Sequence, residues 1–153
     1  MKVEKVDYEK LLESFEPRNI GPAKMGGRVV DIAVDETNGA VIYAAIGPSG
    51  LWKSIDHGIH WFPSFDNQES ASVGAVAVSR SHPDIVWVGT GEATSRNSVG
   101  IGNGVYRSTD GGKTWKHMGL ADTRHIDRVL IDPNNPDVVY VGAMGHLWGA
   151  NKE

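Results

Sequence analysis

The residues of this sequence that could do chemistry are three carboxylates and two histidines. Asp66, Glu92 and Asp122 stand on predicted loops, where two carboxyl groups facing one bond could act as an acid and a base. His57 and His60 could bind a metal, but they lie on and just after a turn, and no carboxylate partner for zinc accompanies them. The chain contains no cysteine, which excludes disulfides, cysteine-bound zinc and thiol catalysis. We therefore expect no metal site and no cofactor.

A repeated turn organises the elements that must position these side chains. The pattern Ser-x-Asp-x-Gly-x-x-Trp occurs twice, each time before a loop and a new apolar stretch. The first turn motif contains Ser54, Asp56, Gly58 and Trp61, and the second turn motif contains Ser108, Asp110, Gly112 and Trp115. The aspartate can accept backbone N–H groups and the glycine can take a positive φ, as tight turns between strands require. We predict a structural role for both turn motifs, with the tryptophans packing between sheets.

Short predicted strands recur along the chain around these turns. Apolar and alternating stretches predict four strands in residues 28–64, four more in 72–118 and two in 125–143. A repeat of roughly 45 residues with four strands is typical of a β-propeller blade. The sequence thus predicts an all-β fold of about two and a half four-stranded antiparallel blades, an incomplete ring in a single domain. Residues 1–20 are predicted to add a short helix over 7–15 and a closing strand over 15–20.

Composition and charge narrow the function classes. The chain has 153 residues and a net charge of −4, with no lysine–arginine cluster, so we expect no nucleic-acid partner. No stretch reaches the roughly 20 apolar residues that span a bilayer, and the first 15 residues lack the apolar core of a signal peptide. We expect a soluble protein, cytoplasmic as written, although the sequence leaves its compartment open.

The turn motifs also carry a family resemblance. They match the Asp-box pattern, or bacterial neuraminidase repeat, of a group of β-propellers. Further segments resemble the amino-terminal blades of large glycosyl hydrolase or sortilin-like repeat proteins, which are typically extracellular: residues 18–22, 65–68, 88–92 and 104–106. The resemblance implies that the loops after every second and fourth strand form a ligand-binding face. Here those loops are residues 66–71, 90–103, 120–125 and 145–149.

The expected face supplies the candidate binding residues. They are Arg28, Glu92, Arg96, Asn97, His125 and Trp148. Arg28 and His125 begin equivalent first strands and should lie at the mouth of the central channel. Glu92, Arg96 and Asn97 stand on a loop that is ten residues longer than its counterpart, and loops on a rigid scaffold are where binding residues concentrate. The tryptophan follows a second strand and could stack on a sugar.

Hydrolysis by this chain alone is not expected. Retaining and inverting glycosidases generally need two carboxyl groups about 5–9.5 Å apart. Xyloglucanases of the resembling fold are similar to one another in an aspartate after the second strand of the first blade, where this chain has Gly-Pro-Ser-Gly at 47–50. The arginine triad and the Tyr/Glu pair of sialidases cannot be placed either.

Two functions stay open at this point. The first interpretation is a binding or scaffold module that presents loops to a glycan, a peptide or a protein. The alternative is the amino-terminal part of a carbohydrate-active glycoside hydrolase whose catalytic residues lie outside this chain. In either case the incomplete ring predicts unpaired blade edges, which would be covered by more of a longer propeller or by self-association of copies.

Overall fold

The computed structural model describes residues 27–150, which form an all-β structure of ten strands in three antiparallel sheets. The first sheet contains β1 (Val29–Val34), β2 (Ile42–Ile46), β3 (Gly50–Ser54) and β4 (Phe62–Pro63), and the second contains β5 (Val73–Val78), β6 (Val86–Thr90), β7 (Val105–Ser108) and β8 (Lys116–Gly119). The third contains β9 (Ile126–Ile131) and β10 (Val139–Ala143), and a 3₁₀ turn, Ala121–Thr123, precedes it. Each four-stranded sheet is a meander in chain order, which confirms the predicted propeller-blade fold.

The helix predicted over residues 7–15 and the closing strand over 15–20 lie outside the described residues. The domain bounds derived from the repeat stay predictions. Within the described part of the chain, no helix is long and apolar enough to span a membrane.

The same backbone hydrogen bonds recur in all three sheets. After the first strand, an N–H group donates to the carbonyl of the residue just before the second strand. The donors are Asp35, Ser79 and Asp132, at 3.1, 2.9 and 2.9 Å. After the second strand, Gly47, Gly91 and Met144 donate to the carbonyls of Arg28, Ser72 and His125, at 2.9, 2.8 and 2.8 Å. Arg28, Ser72 and His125 are therefore structurally equivalent, each just before its first strand.

The core lies between sheets rather than within one. Tyr43, Leu51 and Phe65 of the first sheet and its following loop pack against the side chains of Val76, Val88 and Tyr106 of the second. A second cluster joins the second and third sheets. It contains Ala75, Trp87, Val105, Ile126 and Val129. This is face-to-face packing of blades, in which the alternate residues of each strand supply the contact.

The two turn motifs have the same internal hydrogen bonds. Ser108 Oγ accepts the N–H groups of Asp110 and Gly112, at 3.2 and 2.8 Å, and donates to the Asp110 carboxylate. Ser54 Oγ makes the corresponding contacts with Asp56 and Gly58. Asp110 then accepts the N–H groups of Lys113 and Thr114, and Asp56 accepts that of His60. The serine hydroxyl and the carboxylate together satisfy backbone donors that the tight turn would otherwise leave unpaired.

The end of the second turn motif differs from the prediction. The alternation of apolar and polar residues around Trp115 predicts the fourth strand of this blade over residues 113–118, but β8 begins at Lys116. The reason is that Asp110 accepts the N–H groups of Lys113 and Thr114, at 3.0 and 2.9 Å, and the Thr114 hydroxyl at 2.6 Å. These contacts hold the segment in the turn until the chain reaches Trp115.

The tryptophans of the turn motifs differ in their packing. Trp115 packs edge-to-face on Phe65, with ring centroids 5.2 Å apart, and its indole donates to the Ser64 carbonyl at 2.5 Å. Trp61 is 37% exposed and donates within its own turn, to Gly58. The expectation of packing between sheets therefore fits Trp115 and does not fit Trp61, whose flank meets no other sheet within residues 27–150.

Candidate functional site

Three connections from the second and third sheets meet around an open cleft of about 940 Å³. They are the long β6–β7 loop, the β8–β9 connection and the segment after β10. The lining residues are Ile101, Gly102, Ala121, Asp122, Thr123, Arg124, Ala143, Met144, Gly145 and His146. All three connections belong to the face that the sequence singled out for binding.

The most unusual side chain near this face is Glu92, which is completely buried two residues after β6. Arg28, which precedes β1 in the other sheet, donates from Nε to Glu92 Oε1 at 2.6 Å and from Nη2 to Oε2. The same Nη2 donates to the Ser98 carbonyl at 3.0 Å. Burial of a carboxylate is costly unless a charged partner and hydrogen bonds accompany it, and this bidentate contact supplies both. Two of the predicted residues therefore form an ion pair between the first and second blades.

The ion pair changes what Glu92 can do. Both of its carboxylate oxygens accept hydrogen bonds from Arg28, and its own N–H donates to Ser72 Oγ at 3.0 Å. The hydrogen bond to Glu92 raises the pKa of the Arg28 guanidinium. A carboxylate with both oxygens held by a permanent cation is poorly placed to move protons to or from a ligand. Its position favours a role in holding the loop and the two blades together.

The ends of the long loop are fixed by hydrogen bonds. Thr90 donates from its N–H and from its hydroxyl to the Gly104 carbonyl, at 3.0 and 2.6 Å, and its hydroxyl accepts the N–H of Asn103 at 2.8 Å. Gly91 has a φ of +86°, and a Cβ there would lie 1.8 Å from the Arg124 carbonyl oxygen. Only glycine fits this close approach of the two connections.

His125 directly precedes β9, the first strand of the third sheet, and is 4% exposed. Its Nδ1 has no hydrogen-bond partner among the described residues. Burial lowers the pKa of the imidazole, which favours its neutral form. Two backbone hydrogen bonds join the chain on either side of His125 to the long loop. Gly102 N–H donates to the Arg124 carbonyl at 2.7 Å, and Ile126 N–H donates to the Gly91 carbonyl at 3.3 Å.

The remaining candidates lie apart from the ion pair. Arg96 and Asn97 stand in the exposed middle of the long loop, and Trp148 is 72% exposed after β10. Asp66 lines a different groove, beside Lys53 and Trp115. The structure thus pairs Arg28 with Glu92, and it separates Asp66 from the cleft that Asp122 lines.

Sequence reasoning missed three polar residues of the cleft, Thr123, Arg124 and His146. The signal was present, because the first two lie on the connection before β9 and the histidine follows β10, and both loops were already expected at the binding face. Among the described residues, no group of three or more histidines and acidic side chains is close enough to hold a metal ion.

Comparison with known proteins finds relatives that are xyloglucanases. The chain is 30% identical over 152 residues to a xyloglucanase of Paenibacillus sp, a match that covers 89% of this chain and 15% of that protein. It is 30% identical over 119 residues to the xyloglucanase Xgh74A of Acetivibrio thermocellus, covering 65% of this chain and 14% of that protein. The chain therefore spans about one seventh of the length of these relatives. No protein-family model matches the sequence.

Solved structures give the same fold. The GH74 enzyme of Niastella koreensis superposes with a TM-score of 0.54 at 22% identity, over 68% of this chain and 16% of the enzyme. An ancestral GH74 enzyme superposes with a TM-score of 0.58 at 21% identity, over 75% of this chain and 16% of that enzyme. The homologues of this chain are thus xyloglucanases, and its blades have the fold of the GH74 β-propeller glycoside hydrolases.

Proposed function

We propose that this chain is a blade segment of a carbohydrate-active glycoside hydrolase whose catalytic residues lie outside it. The observation that carries the proposal is the match to a xyloglucanase over 89% of this chain, which spans 15% of that relative. This is the alternative of the sequence interpretation, and the relatives favour it over the free-standing binding or scaffold module. Under the proposal the two turn motifs are Asp boxes, and the ligand is a xyloglucan-type glucan.

The contribution of this chain to the enzyme would be binding. The cleft between the long loop and the third sheet offers a carboxylate, a hydroxyl, a guanidinium and an imidazole from Asp122, Thr123, Arg124 and His146. Ligand sites combine such polar groups with apolar lining, which Ile101, Ala121 and Met144 supply here. An open cleft of about 940 Å³ is large enough for several sugar rings.

Catalysis would need residues from elsewhere in the enzyme. Glycosidic hydrolysis uses two carboxyl groups across the scissile bond. Among the described residues that line the cleft, Asp122 is the single carboxylate, while Glu92 is held by Arg28. Residues 47–50, after β2, supply no carboxylate.

Calorimetric titration of the chain with xyloglucan oligosaccharides tests the proposal, with cello-oligosaccharides of equal backbone length as the comparison ligand. We expect saturable binding of the xyloglucan oligosaccharides and no release of reducing ends by the chain. Asp122→Asn should weaken binding roughly threefold to tenfold, the effect of one hydrogen bond. Asp66→Asn is the matched control, since it changes a carboxylate in a different groove, and it should leave binding unchanged.

Two results would contradict the proposal. One is hydrolysis of the oligosaccharide by the purified chain. The other is xyloglucan binding that survives every substitution in the cleft. Glycan or peptide binding by the chain, together with a full-length gene product that has no glycosidase activity, would instead favour the free-standing binding module.

A further inference from the structure

The long β6–β7 loop contacts two blade interfaces at once. Its first part carries Glu92, whose side chain binds Arg28 at the start of the first sheet. Its last part carries Ile101 and Gly102, which we call the cleft wall because they line the cleft on the loop side. Arg28 does not line the cleft. One loop therefore connects a residue of the first blade to a cleft between the second and third blades.

Hydrogen bonds lead from the ion pair to the cleft wall. The Glu92 N–H donates to the Gly100 carbonyl at 3.2 Å and to Ser72 Oγ at 3.0 Å. The Ser72 hydroxyl donates in turn to the same Gly100 carbonyl at 3.1 Å. Two residues later, the Gly102 N–H donates to the Arg124 carbonyl at 2.7 Å. The returning part of the loop is thus tied to Glu92 on one side and to a cleft residue, Arg124, on the other.

The Glu92 side chain fits closely between the loop and the first blade. It is completely buried, and a Cβ on Gly47 would lie 2.6 Å from its Cδ, so the first blade packs directly on the carboxylate. Arg28 binds both carboxylate oxygens. Protein interiors are close-packed, and a displaced side chain therefore displaces its neighbours. A shift of this carboxylate would move the backbone of Glu92 and the Gly100 carbonyl that is bonded to it.

Arg28 also holds the middle of the loop. Among the described residues, its bond to the Ser98 carbonyl, at 3.0 Å, is the one hydrogen bond that reaches residues 93–99. The planar guanidinium presents its donors in a fixed fork, so one side chain serves two carboxylate oxygens and a carbonyl together. Without Arg28 the segment before Gly100 would depend on the two ends of the loop alone.

We propose that Arg28 is a positioning residue for the cleft. Through Glu92 and Ser98 it fixes the cleft wall, and it thereby raises the affinity of the cleft for a ligand that it does not contact. The effect on affinity rests on the proposed function, whereas the effect on the cleft wall does not. Because Glu92 compensates the charge of Arg28, the influence passes through the position of the loop.

The double variant Arg28→Met/Glu92→Met separates positioning from stability. Replacement of a buried ion pair by apolar side chains of similar size is often neutral, so we expect a urea denaturation curve close to that of the parent chain. Hydrogen exchange of the Gly102 N–H, measured by NMR without ligand, should still become at least about tenfold faster. The Gly111 N–H, at the other end of the same blade interface, should exchange at the parent rate.

Binding is measured on the same variants by calorimetric titration with xyloglucan oligosaccharides. The double variant should bind roughly threefold to tenfold more weakly than the parent chain. Arg80→Gln is the matched control, because Arg80 and Glu36 also pair between the first two blades, at 3.0 Å, but with both side chains exposed on the turns after β5 and β1. This control should change neither the exchange of Gly102 nor the affinity.

Arg28→Lys is a second variant, which also serves if the double variant does not fold. It keeps a cation beside Glu92 but loses the fork that binds both carboxylate oxygens and the Ser98 carbonyl. We expect the same two changes as in the double variant, with smaller size.

Three results would overturn the proposal. The first is exchange of Gly102 at the parent rate in both variants of Arg28. The second is equal acceleration at Gly102 and Gly111, which would show general loosening of the blades. The third is faster exchange of Gly102 with unchanged affinity for the oligosaccharides. If the parent chain itself does not bind the oligosaccharides, the proposed function fails, and the exchange of Gly102 alone decides whether Arg28 positions the cleft wall.

Discussion

The two turn motifs have the same internal bonding and opposite surroundings. In each motif a buried serine hydroxyl and an aspartate tie the turn together. The second motif then lies against the first blade, where Tyr43, Lys53 and Ser64 donate to its Gly111 and Gly112 carbonyls. The first motif presents Ile55, Ile59 and Trp61 as exposed side chains. The local sequence pattern therefore builds the turn, and the neighbouring blade decides how much the turn contributes to stability.

The residue before the motif glycine differs between the two motifs, although its backbone conformation is the same. In the second motif it is Gly111, with a φ of +69°, and in the first it is His57, with a φ of +61°. The blade interface approaches Gly111 closely, since a Cβ there would lie 3.2 Å from Lys53 Nζ and the lysine would have to shift slightly. The exposed turn accepts a side chain at the same backbone conformation.

The largest difference is expected between the two tryptophans. Trp115→Ala should lower the free energy of unfolding by about 3–5 kcal/mol, because it removes a large side chain packed between two blades. Trp61→Ala should lower it by less, since its ring is 37% exposed and its indole donates within its own turn rather than to another blade. Urea denaturation of the two variants measures the gap. Equal losses would show that the first motif is packed as tightly as the second.

The aspartates should differ in the same direction. Asp110→Ala leaves the N–H groups of Lys113 and Thr114 without their acceptor, and we expect a loss of about 1–3 kcal/mol in the free energy of unfolding. Asp56→Ala should cost less, because one backbone N–H outside the Ser54 contacts, that of His60, depends on it. Chemical denaturation under identical conditions compares the two. If both variants were as stable as the parent chain, the predicted structural role of the turn motifs would be wrong.

A smaller contrast should follow from the positive-φ position. Gly111→Ala should destabilise the chain by about 1–2 kcal/mol, the cost of a left-handed conformation for a residue with a Cβ. His57→Gly should change stability little, because relief of that strain is offset by the larger unfolded-state entropy of glycine, about 0.5–1 kcal/mol. Thermal unfolding of the two variants tests this. A clear gain from His57→Gly would mean that the first turn is more strained than its exposure suggests.

The smallest contrast concerns acid. The N–H and the imidazole of His60 lower the pKa of Asp56 to about 2, and the Thr114 hydroxyl and N–H lower that of Asp110 further. A carboxylate with a lowered folded-state pKa stabilises the fold above its unfolded pKa, about 3.9, and loses that effect as pH falls through the folded value. The difference in the free energy of unfolding between the parent chain and Asp56→Asn should therefore vanish between about pH 4 and pH 2. The corresponding difference for Asp110→Asn should persist to lower pH. Urea denaturation across this range measures both, and solvent screening keeps both effects small.

The fold could be predicted because it depends on a repeat. The turn motifs and apolar strands recur in order, and the hydrogen bonds at Asp35, Ser79 and Asp132 recur with them. The start of β8 was not predictable from alternation, because Lys113 and Thr114 alternate like a strand while Asp110 binds both of their N–H groups.

The candidate site was predicted only in part. Arg28 was expected at the channel mouth and Glu92 on the long loop of the binding face, but their ion pair joins residues 64 positions apart, and no local pattern reports such a contact. Trp61 and Trp115 have identical motif positions, so the sequence could not show that only one of them meets a neighbouring blade. The indole N–H of Trp87 has no hydrogen-bond partner among the described residues, and this too depends on packing that the local sequence does not show.

The clamped ends of the long loop have a consequence for how such a protein could change over generations. The bonds of Thr90 to Asn103 and Gly104, and of Arg28 to Ser98, hold the flanks of the loop independently of its exposed middle, residues 94–97. Doubling the length of a flexible loop costs only about 0.6 kcal/mol in closure entropy. Insertions and substitutions there could therefore accumulate nearly without selection against misfolding. The scaffold would stay constant while the exposed middle of the loop varied, and a library of loop grafts between residues 93 and 98 could exploit the same freedom in the laboratory.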